Sequence, residues 1–157
     1  MTKEVALDSS VLVSALVKGD ELRPIARRIM ERVFSGQYHS TTSAVVFVEV
    51  CGAIARRAGV DKASDARNQL TRWENMGLTA YCELSGRRRG EAAELATKLK
   101  MRGMDAIVVQ AAKEKKGTLI TFDEEMAVKA KEAVEILTSK DFVSGSDSDS
   151  SANMEQL

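Results

Sequence analysis

Short apolar segments alternate along this chain with longer segments in which apolar residues recur every three or four positions. Segments of four to seven apolar residues have the length of strands, and the longer period is typical of helices. The short segments predict strands at residues 4–7, 38–41, 78–84, 118–122 and 134–138. The longer segments predict helices at residues 9–17, 20–36, 43–59, 61–77, 86–103, 104–117 and 124–133.

This alternation predicts an α/β fold. Parallel strands need helical connections that cover both faces of the sheet. We therefore expect a three-layer α/β/α sandwich whose central, mainly parallel sheet has about five strands. A chain of 157 residues is the right size for one such domain. We expect the domain to span residues 1–143 and the Ser/Asp-rich tail, residues 144–157, to be disordered because it has too few apolar residues to pack.

Composition excludes several classes of protein. The longest nearly continuous apolar run, residues 44–55, is interrupted by Glu49 and is too short to span a bilayer. The N-terminal residues lead directly into a strand and do not resemble a signal peptide, so the expected location is the cytoplasm. Aromatic residues make up only 4% of the chain, which disfavours a binding surface that stacks on bases.

The cysteines and the histidine suggest no chemistry. Cys51 and Cys82 are far apart in sequence, and His39 is the only histidine that could join them. A zinc site made of thiolates and imidazoles is therefore disfavoured, and both cysteines are predicted to be small core residues. Catalysis by a Ser–His or Cys–His pair would depend on His39, which we interpret as a polar strand residue.

The charge is unevenly distributed. The net charge of the whole chain is zero, but Asp147, Asp149 and Glu155 lie in the tail, where there is no Lys or Arg. Residues 1–143 consequently carry 23 basic and 20 acidic side chains. This balance permits a nucleic-acid partner without demonstrating one.

Four acidic residues occupy positions where a charge is hard to explain. Asp8 and Asp123 follow the first and fourth predicted strands, and ligands of open parallel sheets gather beyond the carboxyl ends of the strands. Glu49 lies in the middle of a helix that is apolar on nearly every side and is therefore predicted to be buried. Asp105 begins a helix of small apolar residues.

These acids have ordinary explanations as well. Asp8, Asp105 and Asp123 could each cap the helix that follows, and Glu49 could pair with a buried Arg or Lys. One shared cause, binding of divalent metal among the four carboxylates, explains them together. Oxygen ligands favour Mg²⁺ or Mn²⁺ over zinc, and such a site suits hydrolysis of a phosphodiester.

Four motifs of the sequence resemble those of a known family. The segments "LDSSVLVSAL", "GMDAIVVQAA" and "LITFDEEM", with the spacing from Ser43 to Glu49, resemble the four acidic motifs of the PIN-domain ribonucleases. The likeness is greatest to the VapC-type toxins of toxin–antitoxin pairs and to archaeal PIN proteins. It covers residues 3–142, and its strength lies in the order of the four motifs along one α/β domain.

The resemblance implies roles for particular residues. Asp8 and Asp105 would be the principal metal ligands, and Glu49 and Asp123 would complete the acidic, catalytic pocket. Ser10 stands where the family often has asparagine, and Thr121 matches a position that usually carries Thr or Ser; both would be supporting residues. The implied activity is that of a Mg²⁺- or Mn²⁺-dependent endoribonuclease, the toxin of a toxin–antitoxin pair, with RNA as substrate, a small antitoxin as partner and a homodimer as assembly.

Two other functions remain open. The domain could be a PIN-like module for RNA processing or scaffolding without strong catalysis. An aspartate-based phosphotransfer domain also has an Asp after its first strand, but the adjacent acids it needs are absent, and Lys140 would have to serve as its lysine. Neither a GxGxxG nor a GxxxxGK[ST] loop for nucleotides occurs.

Basic and apolar residues suggest contact surfaces. Leu12, Leu16 and Ile29 on the first two helices are candidates for a dimer contact or for the core. The basic residues are candidates for contacts with RNA phosphates or with an acidic antitoxin segment, although such runs are commonly solvated surface. They are Arg56, Arg57, Arg87 to Arg89, Lys98, Lys100 and Arg102.

Overall fold

The strands form one sheet in which all neighbours are parallel. The computed structural model describes residues 2–143, so the predicted tail lies outside the described residues. The strand order is β3-β2-β1-β4-β5. The strands are β1 (Lys3–Leu7), β2 (Tyr38–Ser43), β3 (Thr79–Cys82), β4 (Thr118–Ile120) and β5 (Glu135–Leu137).

Helices connect the strands and cover the sheet. They are α1 (Ser9–Leu16), α2 (Arg23–Phe34), α3 (Ala44–Ala58), α4 (Val60–Asn75), α5 (Gly86–Leu99), α6 (Gly103–Glu114) and α7 (Glu124–Ala130), followed by a 3₁₀ helix, Ser139–Phe142. Crossover connections between parallel strands are right-handed. This rule places α1–α4 on one face and α5–α7 on the other. The predicted three-layer α/β/α sandwich is confirmed.

The core lies between the sheet and both helical layers. Strand β1 contributes Ala6 and Leu7, both fully buried, and α6 packs its small residues Ala106 and Ala111 against the sheet with no exposed surface. Gly117, just before β4, has no room for a side chain, because a Cβ atom there would lie 2.9 Å from the carbonyl oxygen of Glu4. The absence of a side chain at Gly117 thus allows β1 and β4 to approach each other closely near their amino ends.

Two local expectations from the sequence are wrong. The helix predicted over residues 20–36 begins at Arg23, and Asp20, whose side chain suits a helix cap, does not cap it. Instead, its carboxylate accepts a hydrogen bond from the backbone N–H of Leu22 at 2.9 Å and pairs with Nη1 of Arg57 at 2.8 Å. One carboxylate oxygen thus serves the turn before α2, and the other binds α3. The third strand is also shorter than predicted, because its flanking residues are not paired.

Helix α3 is buried on one face only, contrary to the prediction. Val46 and Val50 face the core, whereas Val48 is 70% exposed. Apolar residues on nearly every side of α3 therefore do not make it a fully buried helix.

Two of the candidate dimer residues on the first two helices, Leu12 and Ile29, are buried inside the chain. They therefore belong to the core rather than to a contact surface.

The structure also tests the predictions made for the two cysteines and the histidine. Cys82 is buried and donates its S–H to the carbonyl of Thr42 at 3.3 Å, which confirms it as a core residue. Cys51 is partly buried against the core. His39 is an exposed strand residue whose Nδ1 lies 2.9 Å from Glu4. Among residues 2–143, no helix combines the length and the hydropathy needed to cross a membrane.

Candidate active site

A cavity opens at the carboxyl ends of β1, the central strand of the sheet, and its neighbour β4. Strand order reverses at this point, because β2 lies on one side of β1 and β4 on the other. Such a switch point leaves a crevice in which ligands of α/β sheets bind. The cavity has a volume of about 940 Å³. Its lining includes all four acids singled out in the sequence, Asp8, Glu49, Asp105 and Asp123, and we call it the acidic cavity.

Asp8 is the most firmly held of the four acids. Its backbone N–H continues the pairing between β1 and β4 by donating to the carbonyl of Ile120 at 3.0 Å. The side chain is only 6% exposed, and its Oδ2 accepts hydrogen bonds from Ser10 Oγ at 2.7 Å and Thr121 Oγ1 at 2.9 Å. Within residues 2–143, its Oδ1 accepts no hydrogen bond. One carboxylate oxygen is therefore fixed and the other is available.

The two hydroxyls that hold Asp8 are themselves fixed by the backbone after β4. Ser10 Oγ accepts from the N–H of Phe122 at 3.0 Å, and Thr121 Oγ1 accepts from the N–H of Asp123 at 3.1 Å. Each hydroxyl thus receives one hydrogen bond and donates another to Asp8. This network joins the carboxyl ends of β1 and β4 and sets the orientation of the Asp8 carboxylate.

Asp123 has a structural role as well as a place in the cavity. Its Oδ1 accepts a hydrogen bond from the N–H of Met126 at 3.1 Å and thereby caps α7. Its Oδ2 is 3.8 Å from Nη2 of Arg102. The capping explanation therefore holds for Asp123, but only one of its oxygens caps the helix, and the other faces Arg102.

The capping explanation fails for the other two aspartates. Asp8 stands at the cap position of α1, but its side chain makes no capping hydrogen bond. Asp105 lies in the first turn of α6, where the cap position is taken by Arg102. Among residues 2–143, no ion pair forms on Glu49, so the alternative of a pair with a buried cation also fails. Three of the four acids thus remain without a local structural explanation.

Two of the acids, Glu49 and Asp105, have a raised pKa. Burial raises the pKa of the Glu49 carboxyl, and the negative charges of Asp8 and Asp105 raise it further. Burial likewise raises the pKa of Asp105, with further contributions from Asp8 and Asp123. Arg102 acts in the opposite direction on both carboxyls. The coupling shows that the four acids share one electrostatic environment, in which like charges are held together.

The four acidic side chains offer the oxygen ligands that a hard divalent cation prefers. All four are carboxylates, and a cation would remove their mutual repulsion. As placed, however, no three acidic, His or Cys side chains among residues 2–143 lie close enough together to hold a metal ion. Asp8 Oδ1 and the partly exposed Asp105 are the groups that could bind a cation. Glu49 and Asp123 would reach it directly or through water.

Sequence reasoning identified the acids but did not single out three other residues of the cavity. Arg57 and Asp20 form an ion pair in its wall, and Arg102 lies beside Asp105. In sequence, Arg57 and Arg102 look like the other members of two basic runs. The one available signal was their position, since Arg57 follows Glu49 by two helical turns and Arg102 is three residues from Asp105.

Other basic candidates turn out to be structural. Arg87 and Arg88 on α5 both bind the carboxylate of Glu114 on α6, and Arg87 also pairs with Glu91 at 2.8 Å. Glu91 in turn accepts a hydrogen bond at 2.8 Å from Gln110, which is buried. We call these residues the α5–α6 charge cluster. Arg87 and Arg88 thus have partners within the chain and are weaker candidates for phosphate contacts.

Comparison with known proteins gives a family and a fold. The sequence model of the PIN domain matches residues 5–132. No curated protein shows significant similarity to this sequence.

Solved structures of low identity share the architecture. A chain of the VapBC2 complex of Rickettsia felis, bound to a DNA fragment from its promoter, superposes with a TM-score of 0.64 at 14% identity, covering 86% of this chain and 98% of that one. VapC20 of Mycobacterium tuberculosis, a toxin that cleaves the sarcin–ricin loop, gives 0.65 at 17% identity, covering 79% and 93%. A Pyrobaculum aerophilum protein gives 0.56 at 19%, covering 90% and 94%. At these identities the likeness establishes the fold.

Proposed function

Because this chain belongs to the PIN domain family, we propose that it is a divalent-metal-dependent endoribonuclease that hydrolyses RNA phosphodiester bonds. The observation that carries the proposal is the acidic cavity itself. Four carboxylates from four segments line one crevice at the switch point of the sheet, and the pKa values of two of them, Glu49 and Asp105, are raised by burial and by neighbouring acids. Such an arrangement costs stability unless a cation compensates it, which points to a function.

The roles of the residues follow from their surroundings. Asp8 and Asp105 would hold Mg²⁺ or Mn²⁺, with Asp8 presenting Oδ1 while Ser10 and Thr121 keep Oδ2 in place. When bound, the ion would lower the pKa of a coordinated water and stabilise charge on the phosphate. Glu49 and Asp123 would orient the attacking water, and the raised pKa of Glu49 suits a carboxylate that accepts its proton.

The biological setting is proposed by analogy with the structural neighbours. One of them is a toxin–antitoxin complex from Klebsiella pneumoniae, and another is FitAB bound to a DNA fragment. We propose that this chain is likewise the toxin of such a pair, acts on cytoplasmic RNA as a homodimer and binds a small antitoxin. Co-expression with the product of an adjacent small gene, followed by co-purification, tests this part of the proposal.

A cleavage assay tests the proposed activity. The purified protein should cut RNA with Mn²⁺, and EDTA should stop the reaction. Asp8→Asn and Asp105→Asn should each lower the rate by about a hundredfold or more, because each removes a charged ligand. The control is Asp61→Asn, the same chemical change at an exposed position on α4 outside the cavity. Equal cleavage by the parent and both cavity variants would refute the proposal.

One observation favours a second function, that of a PIN-like scaffold without strong catalysis. No three of the acids within residues 2–143 are close enough, as placed, to hold a metal ion. Calorimetric titration with Mn²⁺ separates the two: binding in the millimolar range or tighter supports the nuclease, and its absence supports the scaffold. Nothing favours phosphotransfer, since Lys140 is exposed in the 3₁₀ helix and does not line the cavity of Asp8.

A further inference from the structure

Arg102 is held at the mouth of the acidic cavity by the joint between α5 and α6. Helix α5 ends at Leu99, and the next residue, Lys100, adopts the left-handed conformation with φ 52° and ψ 43°. Arg102 then takes the extended cap position of α6, with φ −62° and ψ 146°. The short connection leaves no slack between the two helices. The backbone of Arg102 is therefore fixed next to Asp105, while its side chain is 74% exposed.

The guanidinium of Arg102 is shared between two of the acids. Its Nε lies 3.5 Å from Oδ2 of Asp105, and its Nη2 lies 3.8 Å from Oδ2 of Asp123. The only other cationic side chain that lines the cavity within residues 2–143 is Arg57, which is engaged by Asp20 at 2.8 Å. Among the described residues, Arg102 is thus the cation that directly opposes the repulsion between the four acids.

These contacts are too long to be strong. Charge-assisted hydrogen bonds between an arginine and a carboxylate are normally below 3 Å. An exposed ion pair at 3.5 to 3.8 Å gains little, because water and salt screen it. A divalent cation that approached Asp105 would repel the guanidinium and compete for the same oxygens. Arg102 is therefore placed to leave these acids without a large loss of stability.

A released Arg102 would lie where an RNA strand must pass. The scissile phosphate has to reach the carboxylates through the mouth of the cavity, and the mouth is where this side chain is exposed. A guanidinium forms paired hydrogen bonds with phosphate oxygens more readily than any other side chain. The same group could thus serve the acids before metal binds and the RNA afterwards.

We infer that Arg102 is an exchangeable counter-cation, which neutralises Asp105 and Asp123 in the metal-free protein and contacts an RNA phosphate once a divalent ion has displaced it. The second half of this inference rests on the proposed ribonuclease function. The first half concerns only the acids and the cation. The two halves predict effects of opposite sign when Arg102 is removed, which a merely structural role would not produce.

Titration of the metal-free protein with Mn²⁺, followed by calorimetry, tests the first half. Arg102→Ala should bind Mn²⁺ about threefold more tightly than the parent, because a competing cation is gone. Arg102→Lys should stay near the parent, since it keeps the charge. Arg57→Ala is the matched control: it removes the same charge from the cavity wall, but from a residue that is paired with Asp20. The Mn²⁺ affinity should change less in Arg57→Ala than in Arg102→Ala. Equal or weaker binding by Arg102→Ala would overturn the inference.

Cleavage kinetics at saturating Mn²⁺ test the second half. Arg102→Ala should raise KM for RNA about fivefold while kcat changes by less than about twofold, because a phosphate contact serves binding. Arg102→Lys should recover part of the loss, and Arg72→Ala, an exposed position on α4 outside the cavity, should keep the parent KM. An unchanged KM in Arg102→Ala would overturn the exchange.

The outcomes also separate this inference from the proposed function. If the parent binds Mn²⁺ and cuts RNA but Arg102→Ala behaves identically, only the exchange by Arg102 is wrong. If the parent binds no Mn²⁺, the ribonuclease proposal and the exchange both fall. Because Arg102 is largely exposed, its variants should fold normally, and a thermal unfolding curve for each of them checks this.

Discussion

The acidic cavity and the α5–α6 charge cluster both contain carboxylates but arrange them in opposite ways. In the cluster, Glu114 binds two arginines, and Glu91 binds Arg87 and Gln110. In the cavity, Glu49 has no cationic partner among residues 2–143, and Asp105 has only the distant Arg102. One region satisfies every charge that it holds, and the other leaves like charges facing each other.

The pKa values record this difference. Hydrogen bonds from Arg88 and Arg87 lower the pKa of Glu114 to about 2, and those from Gln110 and Arg87 lower the pKa of Glu91. Burial and neighbouring acids instead raise the pKa of Glu49 and Asp105. Charges in the cluster help to hold α5 against α6, whereas charges in the cavity oppose folding. Carboxylates that are retained at a cost in stability mark a functional site.

Among variants that keep all four cavity acids, the largest expected effect comes from loosening Asp8 without removing its charge. Thr121→Val deletes the hydroxyl that donates to Asp8 and accepts from the N–H of Asp123, while keeping the volume of a fully buried side chain. We expect the rate of RNA cleavage to fall about 10- to 100-fold, as for other groups that orient metal ligands. The matched control is Thr97→Val on α5, whose hydroxyl bonds the carbonyl of Ala93. If both variants cut at the parent rate, Thr121 does not position Asp8.

Divalent metal should stabilise the cavity and leave the cluster unaffected. At a Mn²⁺ concentration of about 100 times Kd, linkage predicts that the free energy of unfolding rises by roughly 2.7 kcal/mol. Thermal unfolding with and without Mn²⁺ measures the effect. Asp105→Asn should abolish most of it, and Glu114→Gln should retain it. A shift of the same size in Asp105→Asn would place the metal elsewhere.

Neutralising one acid in each region should change stability in opposite directions. The pKa of Glu49 is higher in the folded protein than in the unfolded chain. Its protonated form therefore stabilises the protein at low pH, and this stabilisation is lost as pH rises from the unfolded-state pKa through the folded-state pKa. At pH 7 without metal, Glu49→Gln should therefore stabilise the protein by about 1 kcal/mol, and Glu114→Gln should destabilise it by about 1 kcal/mol or less. Each change corresponds to a Tm shift of roughly 2–4 °C. Shifts of the same sign would contradict the comparison.

The smallest expected effect is the loss of the stabilising contribution of Glu114 at acidic pH. Glu114 has a pKa of about 2 in the folded protein and 4.5 as its ordinary value. Its stabilising contribution is therefore complete above pH 4.5 and is lost as pH falls toward 2. Urea unfolding of the parent and Glu114→Gln should give a difference of about 1 kcal/mol or less at pH 7, and this difference should shrink as pH falls toward 2. A difference that stays constant with pH would mean that the glutamate charge is not its cause.

Much of the fold follows from the sequence because one pattern decides it. Apolar segments of strand length separated by helical segments leave few architectures, and the three-layer sandwich is among them. The positions of Asp8 and Asp123 at strand ends follow from the same pattern. Convergence of these acids with Glu49 and Asp105 was a hypothesis from charge burial and from the resemblance, and the structure places all four in one cavity.

Other features depend on contacts between distant segments. Asp20 has good capping chemistry, yet its partner is Arg57 on α3. The alternation of apolar residues cannot show that Leu12 and Ile29 face the core rather than another copy of the chain. Arg87 and Arg102 look equivalent in sequence, but one is tied to Glu114 and the other lies at the cavity mouth. Such differences are set by tertiary packing, which local periodicity does not encode.

The central claim is that the mutual repulsion of four acids is relieved by a bound divalent cation. A crystal soaked in Mn²⁺ and measured at the manganese absorption edge tests it most directly. We predict an anomalous peak within about 2.0–2.4 Å of carboxylate oxygens of Asp8 and Asp105, at the carboxyl ends of β1 and β4. Well-ordered carboxylates with no such peak at Mn²⁺ concentrations that support cleavage would contradict it.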